Sequence, residues 1–118
     1  MNRNFRSQAF TLVEIMIVVL IIGILMSIAI PNFISARANS RKSACVANLR
    51  QIEGAKEQWA MVAKKGATDT PTSDDLLGTA TTGFLKSWPS CPVSGTYTIG
   101  NMSTRPTCSK LSEGHVLE

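Results

Sequence analysis

The sequence has few of the residues on which enzymes depend. It has one histidine, His115, and no Ser-His-Asp or Cys-His-Asn set can be assembled convincingly around it. Its eight glycines form no phosphate-binding loop. None of its three cysteines lies in a Cys-x-x-Cys pair, which argues against a zinc ribbon or a thioredoxin-like motif. His115, Cys91 and Cys108 match no familiar metal-ligand spacing. The sequence therefore predicts no enzyme, no metal and no cofactor.

The chain also lacks the strong basic charge of a nucleic-acid-binding protein. It has 12 Lys and Arg against 8 Asp and Glu, a net charge of +4. Arg3 and Arg6 supply two of those charges, so without its first nine residues the chain would carry ten basic against eight acidic residues, or +2. That balance predicts a solvated surface and no nucleic-acid partner.

Apolar residues are concentrated near the N-terminus. From Phe10 to Ile30 there are 21 residues, and Glu14 is the only charged one. As a helix this run spans about 31 Å at ~1.5 Å per residue, enough to cross a hydrocarbon core of ~30 Å. Backbone groups in lipid must be hydrogen-bonded within the segment, which requires a helix. The pattern predicts a membrane-spanning helix followed by a small polar head.

Two general explanations of the apolar run are incomplete. A secretory signal peptide would use Arg3 and Arg6 as its basic region and 27–29 as its cut site, but the run is longer than about 7–15 residues and contains a carboxylate. A plain signal anchor accounts for the length. It does not account for Glu14, whose burial near the bilayer centre costs roughly 2.5–3.5 kcal/mol.

The stretch Gln8-Ala9-Phe10-Thr11-Leu12-Val13-Glu14 resembles the processing site of type IV prepilins and type II secretion pseudopilins. The resemblance implies cleavage between Ala9 and Phe10 by a membrane prepilin peptidase, followed by N-methylation of Phe10. It makes Glu14 the fifth residue after the cut, where the family commonly has glutamate. The family usually has glycine before the cut, and this chain has Ala9.

The cut has an electrostatic consequence. It would create a cationic amine at Phe10, one helical turn from Glu14, and a buried carboxylate needs a partner of this kind. In the resembled family the amine belongs to a neighbouring subunit, so Phe10 and Glu14 are the expected assembly residues. The alternative, a glutamate that reaches the membrane surface without an ionic partner, stays open.

The resemblance implies a structural subunit of a type IV pilus-like filament. Its expected partners are other pilin-like subunits, the prepilin peptidase and methylase, and an assembly platform in the inner membrane. The expected location is the inner membrane first, and then a periplasmic or cell-surface filament. Basic residues flank the apolar run on both sides, so charge leaves the orientation open. One alternative is a type II secretion pseudopilin, and another is a small secreted binding domain released from an ordinary signal peptide.

Gly23 and Pro31 interrupt the apolar run. Proline has no N–H, so the carbonyl of Ser27 loses its helical partner and a kink is expected. The resembled pilins carry a glycine and a proline at these places, and the stretch between them often melts in assembled pili. The segment from Gly23 to Pro31 is therefore the candidate melting segment, with a simple bend at the membrane surface as the alternative.

The remaining sequence predicts an α+β protein in which a long N-terminal helix packs against a small β-hairpin head. The expected parts are a leader (1–9), a transmembrane and assembly half of the helix (10–31), an amphipathic half (32–66) and the head (67–118). Lys64 and Lys65 with Gly66 as cap predict the helix end. The apolar side chains of the amphipathic half recur in steps of three and four, which predicts one stripe facing the head: Cys45, Leu49, Ile52, Ala55, Trp59, Val62 and Ala63.

Within the head, Asp74 to Leu77 predicts a helical turn capped by Thr72 or Ser73. Tyr97 and Ile99 alternate with threonines as in a half-buried strand, and Thr104 to Leu111 is expected to return as the second strand. A hairpin is marginal alone, so it should pack on the helix stripe. The expected shared core is Trp59, Leu76, Phe84, Leu85, Trp88, Tyr97 and Ile99.

Three disulfide pairings are possible among Cys45, Cys91 and Cys108. Cys91 and Cys108 flank the predicted hairpin, and the resembled pilins often staple their C-terminal region in this way. That pairing would close a loop of about 18 residues, worth roughly 3 kcal/mol. It would leave Cys45 free and buried on the helix.

Overall fold

A computed structural model describes residues 8–78 and 83–117 of the 118-residue chain. The chain divides into two compact units, Met1–Arg37 and Ala38–Glu118. The predicted α+β class, a long N-terminal helix followed by a small antiparallel sheet, is confirmed. The elements are α1 (Leu12–Ala63), α2 (Ser73–Leu77), β1 (Tyr97–Thr98), β2 (Thr107–Cys108) and a 3-10 helix (Leu111–Glu113).

The head has a small apolar core against the second half of α1. Ile52, Ala55 and Leu76 are buried at its centre. The seven side chains predicted for the shared core all belong to this cluster, Leu76 at the centre and the other six packed around it half-buried. The stripe prediction is wrong at its end, because Val62 and Ala63 are exposed. Among the described residues, packing against the head stops at Trp59 and leaves Val62 and Ala63 in the last turn of the helix exposed.

Lys56 is the main departure from the predicted helix face. In sequence Lys56 lies close to Arg50, Glu53 and Glu57, with which it could form short-range pairs along the helix, but only 2% of it is accessible. Its ammonium donates to the backbone carbonyls of Ile99, Asn101 and Thr104, at 2.9, 2.8 and 2.7 Å. Burial lowers the pKa of Lys56, and the Glu53 carboxylate acts in the opposite direction. The lysine therefore organises the loop that connects the two strands.

The hairpin is present but shorter than predicted. β1 and β2 pair antiparallel, with Tyr97 opposite Cys108 and Thr98 opposite Thr107. Ile99 lies beyond β1, and the predicted return strand from Thr104 to Leu111 is reduced to two residues. Beyond Thr98 the chain forms a turn instead of continuing the ladder. The Thr104 N–H donates to the Asn101 carbonyl at 3.2 Å, and the Lys56 ammonium binds the carbonyls of Ile99 and Thr104.

A capping box starts α2, and the cap is Thr72, one of the two N-cap residues that the sequence predicts. Thr72 is the N-cap, and its hydroxyl accepts a hydrogen bond from the Asp75 N–H at 3.2 Å. The Asp75 carboxylate accepts from the Thr72 N–H at 2.9 Å, which holds the pKa of Asp75 below its usual value. Asp69 likewise accepts from the Gly66 N–H, at 2.8 Å. These two carboxylates are thus occupied in local backbone turns.

The C-terminus of α1 lies two residues earlier than predicted. The helix ends at Ala63, and Lys64 adopts the left-handed conformation with φ of 51°. The Lys65 N–H then donates to the Ala60 carbonyl at 3.0 Å, the hydrogen bond of a Schellman motif. Lys64, and not Gly66, occupies the position that glycine usually fills.

We expect Lys64→Gly to raise the free energy of unfolding of the head by roughly 0.5–1 kcal/mol, because glycine adopts positive φ without the steric cost that a side chain carries. Urea unfolding of the full chain in detergent, followed by tryptophan fluorescence, measures the change. The matched control is Lys65→Gly. This variant should not stabilise the head. Lys65 does not have a positive φ, and its ammonium lies 5.9 Å from the centroid of the Trp59 ring, a contact that glycine would lose. An equal change in both variants would contradict the prediction.

Candidate functional site

The predicted cleavage junction lies outside regular secondary structure. Ala9, Phe10 and Thr11 precede α1 in irregular backbone, and the helix begins at Leu12. Ala9 is exposed, and Phe10 is 82% exposed. A peptidase needs an accessible backbone at the bond that it cuts. The Ala9–Phe10 bond is exposed and lies outside regular secondary structure.

Glu14 lies in the first turn of α1 and forms a reciprocal capping pair with Thr11. Its carboxylate accepts a hydrogen bond from the Thr11 N–H at 2.8 Å, and the Thr11 hydroxyl accepts one from the Glu14 N–H at 3.2 Å. This is a capping box, and a negative charge at this helix end is favourable. The sequence carries its signature, Thr-x-x-Glu, but the sequence interpretation gave Glu14 an assembly role only.

The first part of α1 is an apolar surface open on all sides. α1 is long and apolar enough to cross a membrane, and in its most apolar stretch no residue is buried. Hydrophobic side chains on a free helix of this kind need lipid or other protein surfaces to cover them. The exposed members are Phe10, Leu12, Val13, Ile15, Met16, Ile17, Val18, Val19, Leu20, Ile21, Ile22, Ile24, Leu25, Met26, Ile28, Ile30, Phe33 and Ile34.

Gly23 and Pro31 both lie inside α1, which is assigned as helical through both positions. A Cβ built at Gly23 would meet no atom within 4 Å, so the glycine leaves open space on the helix surface. The Ser27 hydroxyl donates to the Ile24 carbonyl at 2.7 Å, within the same stretch. The segment from Gly23 to Pro31 is therefore helical in the single chain.

The structure brings the two predicted disulfide partners together and adds a third cysteine. The Cys91 and Cys108 sulfurs are 3.8 Å apart, and the Cys91 and Cys45 sulfurs are 4.0 Å apart. All three are free thiols, since a disulfide bond is about 2.05 Å long. The Cys91–Cys108 pairing stays a prediction, because the proximity of the two thiols does not exclude their oxidation.

His115 completes this group. One ligand atom from each of Cys45, Cys91, Cys108 and His115 can be chosen so that all four lie within 4.8 Å of one another. His115 is 3% exposed, and its Nδ1 atom is buried without a hydrogen-bond partner in the described structure. The four side chains come from α1, the loop before β1, β2 and the C-terminal segment. No local spacing pattern links them, which is why the sequence interpretation set aside Cys91, Cys108 and His115 as metal ligands and did not join Cys45 to them.

The cysteines differ in their electrostatic surroundings. Burial raises the pKa of the Cys45 thiol to about 12, although a hydrogen bond from the Tyr97 hydroxyl acts in the opposite direction. Burial also acts to raise the pKa of Cys91, but hydrogen bonds from the backbone N–H groups of Val93 and Gly95 lower it overall. Burial raises the pKa of Tyr97. Cys91 is thus the thiol whose anionic form the backbone stabilises.

Comparison with known proteins points to the N-terminal segment. Residues 4–30 match the prokaryotic N-terminal methylation motif. The type IV major pilin protein PilA of Myxococcus xanthus is 50% identical over 56 residues, which are 48% of this chain and 26% of that protein. The type II secretion system core protein G of Escherichia coli is 25% identical over 97% of this chain and 86% of its own length. The type IV narrow pilus major component PilA5 of Thermus thermophilus is 29% identical over 88% of this chain and 80% of its own length.

The extent of these matches differs between relatives. The chain spans about a quarter of the Myxococcus pilin and 39% of the core protein G of Klebsiella pneumoniae, which is 35% identical over the matched part. No solved structure matches the chain. The higher identities therefore belong to short matched parts, and the matches that extend over the head are weaker.

Proposed function

We propose that this chain, which belongs to the type IV pilin and pseudopilin family, is a structural subunit of a type IV pilus-like filament. The observation that carries the proposal is the arrangement around the start of α1. An accessible Ala9–Phe10 bond precedes a helix that bears Glu14 in its first turn and leaves its apolar side chains uncovered. Packing of such helices side by side would cover them.

Processing is the first step of the proposed function. A prepilin peptidase cuts between Ala9 and Phe10, and a methylase then modifies the new amine of Phe10. The motif match from residue 4 to residue 30 supports this step, as does the irregular, exposed backbone of the junction. Methylation keeps the positive charge of the amine, so it leaves ionic pairing intact.

Assembly is the second step. In a single chain the Glu14 carboxylate accepts one hydrogen bond, from the Thr11 N–H, and remains exposed. A carboxylate has room for further donors. When the apolar helices pack together, the Phe10 amine of a neighbouring subunit approaches Glu14 and neutralises its charge. This pairing sets the axial position of each new subunit, because a displaced carboxylate would be buried without a partner.

The membrane is the proposed place of storage and assembly. α1 anchors the subunit in the inner membrane with the head outside the cytoplasm, and an assembly platform moves it into a periplasmic or cell-surface filament. Gly23 to Pro31 is the part of α1 that would extend within the filament, since Pro31 deprives the Ser27 carbonyl of its donor. The helical state of this segment describes the subunit before assembly.

One observation favours a second candidate function, that of a type II secretion pseudopilin. The match to core protein G of Escherichia coli covers 97% of this chain, against 88% for the Thermus pilus component PilA5 and 48% for the Myxococcus pilin. The filament and its assembly would be similar in both cases, but only the pseudopilin would serve the secretion of other proteins. Electron micrographs of cells with and without this chain, combined with an assay of secreted proteins, separate the two functions.

The N-terminus of the mature protein tests the shared part of the proposal. We expect intact-mass and N-terminal sequence analysis to find Phe10 as the first residue, with one added methyl group. An ordinary signal peptidase would instead produce a start at Ile30 or Arg37, and the chain would then be a small secreted domain. Either of those starts would overturn the proposal, because the released protein would lack Glu14 and the apolar helix.

A further inference from the structure

The head contains a compact group of atoms that can bind a metal. It lies in a different part of the chain from the start of α1. Three sulfurs and one imidazole nitrogen lie within 4.8 Å of one another, from Cys45, Cys91, Cys108 and His115. Cys45 and Cys108 are almost completely buried, as is His115. Three thiolates with one histidine are a common ligand set of structural zinc sites. We propose that the head binds one Zn²⁺ ion through these four side chains.

The distances fit a tetrahedral ion. Zn–S bonds of about 2.3 Å give sulfur–sulfur edges of about 3.8 Å in a regular tetrahedron. The structure has 3.8 Å between Cys91 and Cys108 and 4.0 Å between Cys91 and Cys45. Four ligand atoms within 4.8 Å need only a small contraction to surround one ion. Sulfur ligands favour zinc over magnesium and calcium, which prefer oxygen.

The histidine is oriented for this role. Its Nδ1 atom is buried and has no hydrogen-bond partner among the described residues. Its Nε2 atom faces the Glu113 carboxylate at 3.9 Å. A zinc ligand commonly directs its second nitrogen toward a carboxylate, which fixes the ring and its tautomer. We assign Nδ1 as the ligand atom and Glu113 as the group that positions the ring.

The surrounding backbone accommodates closely spaced sulfurs. A Cβ built at Gly95 would lie 2.7 Å from the Cys108 sulfur and 3.0 Å from the Cys91 sulfur, so a larger residue would push them apart. The backbone N–H groups of Val93 and Gly95 act to lower the pKa of the Cys91 thiol, which places donors on the side of its anionic form. Hydrogen bonds to coordinating atoms are the usual second layer of a metal site. Gly95 therefore contributes to the site because its lack of a side chain lets the Cys91 and Cys108 sulfurs lie close together.

A single ion satisfies the whole cluster, and a disulfide does not. Any disulfide uses two of the three sulfurs and leaves the buried Nδ1 atom without a partner among the described residues. Zinc binding forms three Zn–S bonds and one Zn–N bond, and the three displaced thiol protons go to solvent. The site then carries one net negative charge. The Lys42 ammonium lies near Gly114, where a built Cβ would be 2.8 Å from its nitrogen, and offers a nearby positive charge.

Metal content and thiol count test the proposal on the full chain. The protein is purified in detergent without added reductant from the cells that export it. We expect one zinc per chain by elemental analysis and three alkylated cysteines after denaturation with a chelator. Exchange with Co²⁺ should give the charge-transfer and d–d bands of a tetrahedral thiolate site. A zinc-free chain with one alkylated cysteine would establish a disulfide and overturn the proposal.

Single substitutions distinguish a built site from incidental thiol binding. His115→Ala should weaken Zn²⁺ binding by at least about 100-fold, since even second-layer partners contribute roughly 10–100-fold. His115→Cys should restore binding, because four thiolates also form a zinc site. Ser112→Ala, an exposed neighbour, is the matched control and should bind as the wild type does. Unchanged affinity in both His115→Ala and Cys45→Ser would overturn the assignment of the ligands.

The zinc proposal does not depend on the filament proposal. A chain that starts at Phe10 and assembles but contains no zinc would leave the proposed function intact and remove the site. A chain that binds zinc but starts at Ile30 would do the reverse. Both starts leave Cys45 and the head in the product, so one preparation serves both measurements.

Discussion

Glu14→Ala is expected to leave cleavage at Ala9 largely intact and to abolish filament formation. The cut precedes the helix in exposed backbone, so its chemistry does not require the carboxylate. Assembly does, because the packed helices would hold an amine whose ionic partner is missing. Loss of one member of a buried pair costs about 3–5 kcal/mol, which corresponds to a reduction of ~100-fold or more in the equilibrium for adding each subunit. Immunoblots measure cleavage, and sheared filament yield measures assembly.

The capping box between Thr11 and Glu14 means that further variants are needed to separate capping from charge. Glu14 also accepts a hydrogen bond from the Thr11 N–H, so the alanine variant weakens the helix start as well as removing the charge. Glu14→Gln separates these roles, since glutamine can occupy the same capping position without charge. Thr11→Val removes the hydroxyl cap and keeps the carboxylate. We expect Glu14→Gln to lose filaments and Thr11→Val to retain them. The opposite pattern would show that Glu14 acts as a cap and not in the register of assembly.

The parts of this protein that sequence predicted well are those that depend on short-range patterns. The apolar run needs only composition, and α2 needs only Thr72 with Asp75 three residues later. The core around Leu76 followed from apolar side chains that had one available surface to cover. The turn after Ile99 begins at Gly100, which has a positive φ of 69°, a conformation that glycine adopts without steric cost. Each of these signals lies within a few residues of the structure that it determines.

The parts that sequence missed depend on distant residues. Lys56 occurs four residues after Ile52, a stripe position, but nothing nearby shows that three loop carbonyls will surround its ammonium. The cysteine and histidine cluster is similar, because Cys45 and His115 are separated by most of the head. At the end of α1, Lys64 occupies the left-handed position that glycine usually fills. The prediction relied on Gly66 as the cap, and so it placed the end of the helix too late. Polar groups whose hydrogen-bond partners lie far away in the sequence leave no periodic pattern of residues.

Lys56 and the cysteine cluster each connect α1 to the hairpin and add to the stabilisation that the apolar core gives the head. The apolar core is small, with Ile52, Ala55 and Leu76 as its buried members, and a thin core of this size needs additional connections. Lys56 ties α1 to the loop after β1. The cluster joins α1 to β2 through Cys45 and Cys108, which pack together in a second buried group with Leu49. Both connections run from one face of the helix to the hairpin.

Lys56→Met is accordingly expected to lower the free energy of unfolding of the head by about 3–5 kcal/mol. Methionine has a similar length but donates to none of the three carbonyls. Those of Ile99 and Thr104 lose the donor that Lys56 supplies, whereas the Asn101 carbonyl keeps the Thr104 N–H at 3.2 Å. Each acceptor left unsatisfied costs roughly 1–3 kcal/mol. Relief of the burial of one ammonium offsets only part of that cost, because the wild-type ammonium has all three protons hydrogen-bonded. Urea unfolding in detergent measures the change, with Trp59 and Trp88 as reporters in the core.

Lys86→Met is the matched control, since Lys86 is exposed and the same charge is removed. It should alter the free energy of unfolding by no more than about 0.5 kcal/mol. Equal stability of Lys56→Met and wild type would mean that water reaches the three carbonyls and replaces the ammonium. A large loss in Lys56→Met alone would instead show that a buried lysine holds the hairpin loop against the helix. Because the loop carbonyls of Ile99 and Thr104 flank β1 and β2, that loss should also loosen the strands that carry Tyr97 and Cys108.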